Sequence, residues 1–241
     1  MTSSRITSRP AVTAVAFALA GAGFVVYPAL RPYSDETTLA GAEAMSSTAW
    51  VLAHSVGMLA FLALTVAVWS LRRTVPGLRQ LPAAVAAVLT WLGVSLVLPY
   101  YGGETFALQV IAERAATEAE PGLLELADAF RYQPVAIASF GAGLLALAAA
   151  GVSLATALRD SGTLGRAGGL LVGLGLVLYL PQFFVAPAGR IGHGVLLAAG
   201  CAALAVLGRR AGTAQLSQTV PSESPSRYQS YSASTPETYG P

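Results

Sequence analysis

His54 and His193 are the chain's two histidines, and both fall inside long apolar runs. Imidazole titrates near neutral pH and can donate or accept a proton, so it serves as general acid, general base or metal ligand. Ionisable groups within membrane spans normally face a bundle interior or a watery cavity. Counted along their runs at 1.5 Å per residue, both histidines lie about 7–9 Å below one membrane boundary. Glu104, just after Gly102-Gly103, converges on that level with Tyr100, Tyr101, Gln182 and Arg190. His54, His193 and Glu104 are therefore the candidate catalytic residues, and Tyr100, Tyr101, Gln182 and Arg190 the candidate ligand-binding ones.

Three chemistries suit this set. An enzyme acting on an apolar or lipid substrate could use one histidine as base, with Glu104 orienting it or acting as acid. Two imidazoles could hold a single b-type haem or, with Glu104, a divalent metal. A pocket at this level could instead bind a solute for transport, although the span centres hold only Ser, Thr and Gly where transporters usually place ionisable groups. Against all three stands a structural role, in which each neutral imidazole hydrogen-bonds a carbonyl and does nothing more. There is no phosphate-binding glycine loop, CxxC or HExxH element, so the cofactor, the substrate and the very existence of an enzymatic activity stay open. No metal ligands are assigned.

The elements that must position these residues follow from composition. Of 241 residues, 54% are hydrophobic and 11% charged, against roughly 25% charged in an ordinary soluble domain. Six runs of about 20 apolar residues are each long enough to cross a bilayer core of about 30 Å. They cover about residues 11–30, 48–71, 81–100, 134–158, 167–187 and 188–207. Trp50 and Trp69 bracket the second run about 28 Å apart, one for each interfacial belt. Arg190 divides the last two, which predicts a hairpin with a tight turn at Ala188-Gly189-Arg190.

Arg placement orients the chain. Arg5, Arg9, Arg72, Arg73, Arg79, Arg159, Arg166, Arg209 and Arg210 fall on one side; Arg31, Arg114, Arg131 and Arg190 fall on the other with nine of the twelve acids. The positive-inside rule then makes both termini cytoplasmic. The first run carries Ala18-Leu19-Ala20, a possible signal-peptide cleavage site, but continues apolar to Val26, which favours an uncleaved helix. The expected fold is an all-α, six-helix plasma-membrane bundle over residues 1–210.

The outer loop after the third span shows helical spacing at Phe106, Val110 and Ile111, and again at Leu123, Leu126, Ala127 and Phe130 with Pro121 to start it. Two short amphipathic helices are expected there. Residues 211–241, rich in Ser, Thr, Pro and Tyr, read as a disordered cytoplasmic tail. Pro28, Pro99 and Pro181 recur near the outer ends of three spans, either kinking them or ending them, and hint at three similar hairpins. Small-residue pairs, Gly169 with Gly173 and Ser139 with Gly143, allow close helix packing.

All 14 basic residues are Arg, a bias pointing to a high-G+C bacterial genome. They form no stripe, which excludes a nucleic-acid partner. Cys201 permits no internal disulfide. The expected partners are the lipid bilayer and an apolar small molecule or lipid; the oligomeric state is open.

Overall fold

Apolar runs rich in Ala, Leu and Val have one way to satisfy their backbone away from water without sheet partners, which is to coil into helices. The computed structural model describes residues 3–75 and 77–219. Among these residues nine α-helices and no strand are present: α1 (Ser3–Leu30), α2 (Leu39–Ser46), α3 (Thr48–Thr74), α4 (Gln80–Gly102), α5 (Leu108–Glu118), α6 (Glu125–Arg131), α7 (Pro134–Leu158), α8 (Gly162–Val177) and α9 (Pro187–Thr219). A π-helical turn at Gly103–Ala107 joins α4 to α5, and 3-10 turns at Pro121–Leu124 and Pro181–Phe184 precede α6 and α9.

Local chemistry sets the boundaries. Thr38 and Ser47 cap α2 and α3 by accepting the amides of Gly41 and Trp50. Gln133 does the same for Ala136 at 2.6 Å, ahead of Pro134, whose missing N–H costs nothing in a first turn.

Five helical stretches, Pro10–Leu30, Thr48–Thr74, Gln80–Glu118, Pro134–Leu158 and Pro187–Ala214, are long and apolar enough to cross a membrane. The expected fifth span is the exception. Its helix is the shorter apolar α8, about 24 Å long at 1.5 Å per residue. Pro181 explains the stop: it lacks the N–H that would bond the carbonyl of Val177, and its ring would clash with that carbonyl. The connection to α9 therefore occupies residues 178–186. The tight turn expected at Ala188–Arg190 is instead the opening turn of α9, begun by Pro187. That helix carries on through Thr219, past the expected start of the tail; the rest of the tail lies outside the described residues.

The six longest apolar elements form a closed ring in sequence order. Each packs on the next, α1 on α3, then α4, α7, α8 and α9, and α9 returns to α1. Glycines set the closest crossings. A Cβ on Gly93 or Gly143 would meet the other's carbonyl at 2.8–2.9 Å, and Gly151 and Gly173 are paired in the same way at 2.8 Å. Ser139 adds a cross-helix bond to the Leu96 carbonyl at 3.1 Å. Large apolar side chains such as Leu19, Leu59, Trp91, Leu145 and Leu170 point outward, as lipid-facing residues do.

One end of the ring wears a cap with a core of its own, formed by Ala42, Met45, Trp50, Leu108, Ala112, Ala115, Leu124 and Ala127. Helix α2, which has no counterpart in the sequence expectation, supplies part of it. Trp50 is 0% exposed and so is not an interfacial anchor; its indole is held in the cap. In α5 the buried face is Leu108, Ala112 and Ala115, while Val110, and Phe106 in the preceding turn, are exposed.

Candidate functional site

Beneath the cap lies a cavity of about 490 Å³. Its floor is aromatic. Tyr27 at the end of α1, Tyr100 and Tyr101 at the end of α4, Phe140 near the start of α7 and Phe183 in the α8–α9 connection all line it. Tyr100 stacks on Phe140 with ring centroids 4.3 Å apart, and Phe140 meets Phe183 at 5.8 Å. Ile137, Gly141, Leu180 and Phe184 line the side facing out of the ring. Phe184 is 84% exposed, so this wall forms a window toward the surroundings of the bundle.

The cap side of the cavity is charged. Arg31 donates to Glu36 at 2.6 Å, Arg131 to Glu36 at 2.7 Å, and Arg131 clasps Glu104 through two bonds of 2.7 and 3.0 Å. This chain ties the α1–α2 connection, the π-helical turn and α6 together. Burial alone would raise the Glu36 carboxyl, but Arg131 and Arg31 outweigh it and hold its pKa below the ordinary value. Burial likewise opposes the charge on Arg131, yet its bonds to Glu104 and Glu36 leave its pKa raised. Arg31 also lies over the rings of Trp50 and Tyr33, 4.6 and 4.9 Å from their centroids.

Arg190 completes the lining. It lies 5.6 Å from the Tyr33 centroid and donates to the carbonyls of Phe183 and Val185 at 2.7 and 3.2 Å. Among the described residues no carboxylate forms an ion pair with it. The cavity is thus lined by three guanidinium groups and two carboxylates. Burial raises the pKa of the Tyr33 hydroxyl against the pull of Arg31 and Arg190, and the neutral hydroxyl gives its hydrogen to the Pro28 carbonyl at 3.0 Å.

His54, 2% exposed, lines the same cavity. Its Nδ1 is 2.8 Å from the Trp50 carbonyl; a carbonyl only accepts, so this nitrogen carries the hydrogen and Nε2 holds the lone pair in the neutral ring. The Trp50 indole donates to the main-chain carbonyl of Glu104 at 2.7 Å. His54 and Glu104 are therefore linked through Trp50, while the Glu104 carboxylate is engaged by Arg131.

Of the residues expected at the site, the cavity brings together His54, Glu104, Tyr100, Tyr101 and Arg190. His193 and Gln182 lie outside it, lining a separate groove of about 390 Å³. His193 is bound through Nε2 to the Gly175 carbonyl at 2.7 Å. Two tyrosines stand between the imidazoles: the Tyr101 and Tyr179 hydroxyls meet at 3.2 Å, and their rings lie 6.2 Å from His54 and 5.2 Å from His193. A bis-histidine haem needs both rings aimed at one iron, and this arrangement assigns them to different cavities and different carbonyls. Among the described residues no group of three or more His, Cys, Asp or Glu is placed to hold a metal ion. Arg31, Glu36 and Arg131 are the charged site residues that spacing alone missed, and Tyr27, Tyr33, Phe140 and Phe183 the aromatic ones.

No protein-family model, no curated protein and no solved structure matches the chain.

Proposed function

We propose that this membrane protein binds an anionic amphiphile in the cavity beneath the cap. The head group sits against Arg190, and the hydrocarbon chain leaves through the window at Ile137, Leu180 and Phe184. The observation that carries this reading is the excess of guanidinium over carboxylate at the covered end of a cavity whose other end is aromatic and open sideways. A half-buried guanidinium hydrogen-bonded only to carbonyls has no carboxylate partner among the described residues and can offer its remaining N–H groups to a carboxylate or phosphate. The cap is read as extracytoplasmic and both termini as cytoplasmic, in the plasma membrane, from the distribution of arginines.

The test uses the full chain in phosphatidylcholine nanodiscs. Oleate should raise the thermal unfolding midpoint more than oleyl alcohol does, since only the former pairs with Arg190. Arg190→Gln should weaken the oleate response on the order of tenfold, the scale of one charge-assisted hydrogen bond. Arg190→Lys should restore part of it. An equal response to both probes, or an unchanged one in Arg190→Gln, would overturn the reading.

His54 supports a second reading, acid–base chemistry on the bound molecule, because its Nε2 is the nitrogen left free to take a proton. Glu104 contributes there by holding Arg131 and the cap, not by proton transfer. His54→Gln should leave oleate binding intact and abolish turnover of whatever ester or carbonyl the cavity accepts; retained turnover removes His54 from the chemistry.

A further inference from the structure

The groove that holds His193 and Gln182 is separated from the cavity by the 178–186 connection, which Arg190 pins by its bonds to Phe183 and Val185. Its walls are Leu178, Pro181, Val185 and Leu196, and its open side is floored by Gly189 and Gly192. No charged residue lines it. An anionic head group would leave water there without a counter-charge, which is unfavourable by several kcal/mol.

Two polar side chains interrupt the apolar wall. Gln182 is 8% exposed, and its amide has no hydrogen-bond partner within the described protein, although the main chain on either side is bonded. The residue is largely buried, yet its amide is not among the fully enclosed polar atoms; it lines the groove, where a ligand can meet it. His193 gives its Nε2 hydrogen to Gly175, so in the neutral ring Nδ1 presents a lone pair. The groove thus combines an amide N–H donor with an imidazole acceptor. A hydroxyl answers both, donating to Nδ1 and accepting from the amide. A ketone or ether oxygen only accepts and would face the Nδ1 lone pair.

We propose that this groove is a second, separate site for an uncharged, hydroxyl-bearing lipid, with the hydroxyl bridging Gln182 and His193 and the chain lying along the glycine floor. The site is independent of the anionic site beneath the cap, with which it shares no lining residue.

Full-length protein in phosphatidylcholine nanodiscs, photolabelled with diazirine-bearing oleyl alcohol and mapped by peptide mass spectrometry, tests this. The label should fall on residues 178–196 and be competed by oleyl alcohol. Oleyl methyl ether, which lacks the donor, should compete about fivefold less well, the scale of one net hydrogen bond. Gln182→Leu should lower labelling by a similar factor. Gly192→Leu directs its added side chain into open space, because a Cβ there meets nothing within 4 Å; it should fill the groove and remove the label while the thermal midpoint stays at the wild-type value. Equal competition by the methyl ether, or wild-type labelling in Gly192→Leu, overturns the proposal. The oleate response at Arg190 should persist in both variants, so failure at one site is distinguishable from failure at the other.

Discussion

Arg31, Arg131 and Arg190 line the cavity, and all three belong to the small set of arginines that fall on the side opposite the basic loops. The remaining member, Arg114, forms an exposed i,i+4 pair with Glu118. Arginines that run against the orienting bias therefore marked the charged half of the site, and charge bookkeeping alone could have found it. Glu36 offered no such signal: it lies in an irregular connection, and its partner Arg131 is remote in sequence. Its ionisation should be visible in stability. A carboxyl whose folded pKa lies below its unfolded value, about 4.3, stabilises the fold above that value and loses the contribution as pH falls through the folded pKa. Thermal unfolding of the wild type should thus weaken as pH drops below about 4.3. Glu36→Gln should lower the midpoint at pH 7, on the order of 3 kcal/mol for removing one partner of a mostly buried pair, and should flatten the acid limb. A variant with the wild-type acid limb would detach Glu36 from cap stability.

At the scale of elements, the boundaries at Pro121 and Pro134 were legible, whereas Pro187, expected to end a span, starts a helix. Pro121, Pro134 and Pro187 each open a helix or 3-10 turn, and Pro181 stops α8 four residues upstream. In α5, Leu108 and the small residues Ala112 and Ala115 make the close contact with the cap core, while Val110 faces out. The cap depends on one such close approach. In the π-helical turn, a Cβ on Gly103 would overlap the Phe130 ring, while one on Gly102 would meet nothing within 4 Å. Gly103→Ala should therefore loosen the cap by about 1–3 kcal/mol through overpacking, read as faster proteolysis within residues 103–131. Gly102→Ala should be neutral or slightly stabilising, as expected in a helix. Equal behaviour of the two variants would remove the Phe130 contact as the reason for glycine at 103.

For the whole molecule, the ring decides how the shortest helix must be read. The start of α9 lies at the capped end, since Arg190 sits over Tyr33; its far part lies at the basic end, where Gly208 approaches Thr13 and Thr13 bonds Ser70 and Thr74. Helix α7 reaches that basic end too, because its Ala157 carbonyl accepts the amide of Arg79. The chain must therefore return from the basic end to the capped end between Leu158 and Pro187, and α8 with its following turn is the segment that does so. Although α8 alone is shorter than a bilayer core of about 30 Å, it is flanked by α7 and α9 along its length, and the 3-10 turn extends it. Six passages through the bundle bring the described start of α1 and end of α9 to the basic end, the end that the proposed orientation puts in the cytoplasm. A fluorescent protein fused after residue 241 should accordingly be bright and alkaline phosphatase at the same position inactive, with the pattern reversed for insertions at Glu120-Pro121 in the cap. Phosphatase activity at the carboxyl end would mean that α8 does not cross. The cap, the cavity and its window would then need a new assignment relative to the membrane, even with every contact among their residues unchanged.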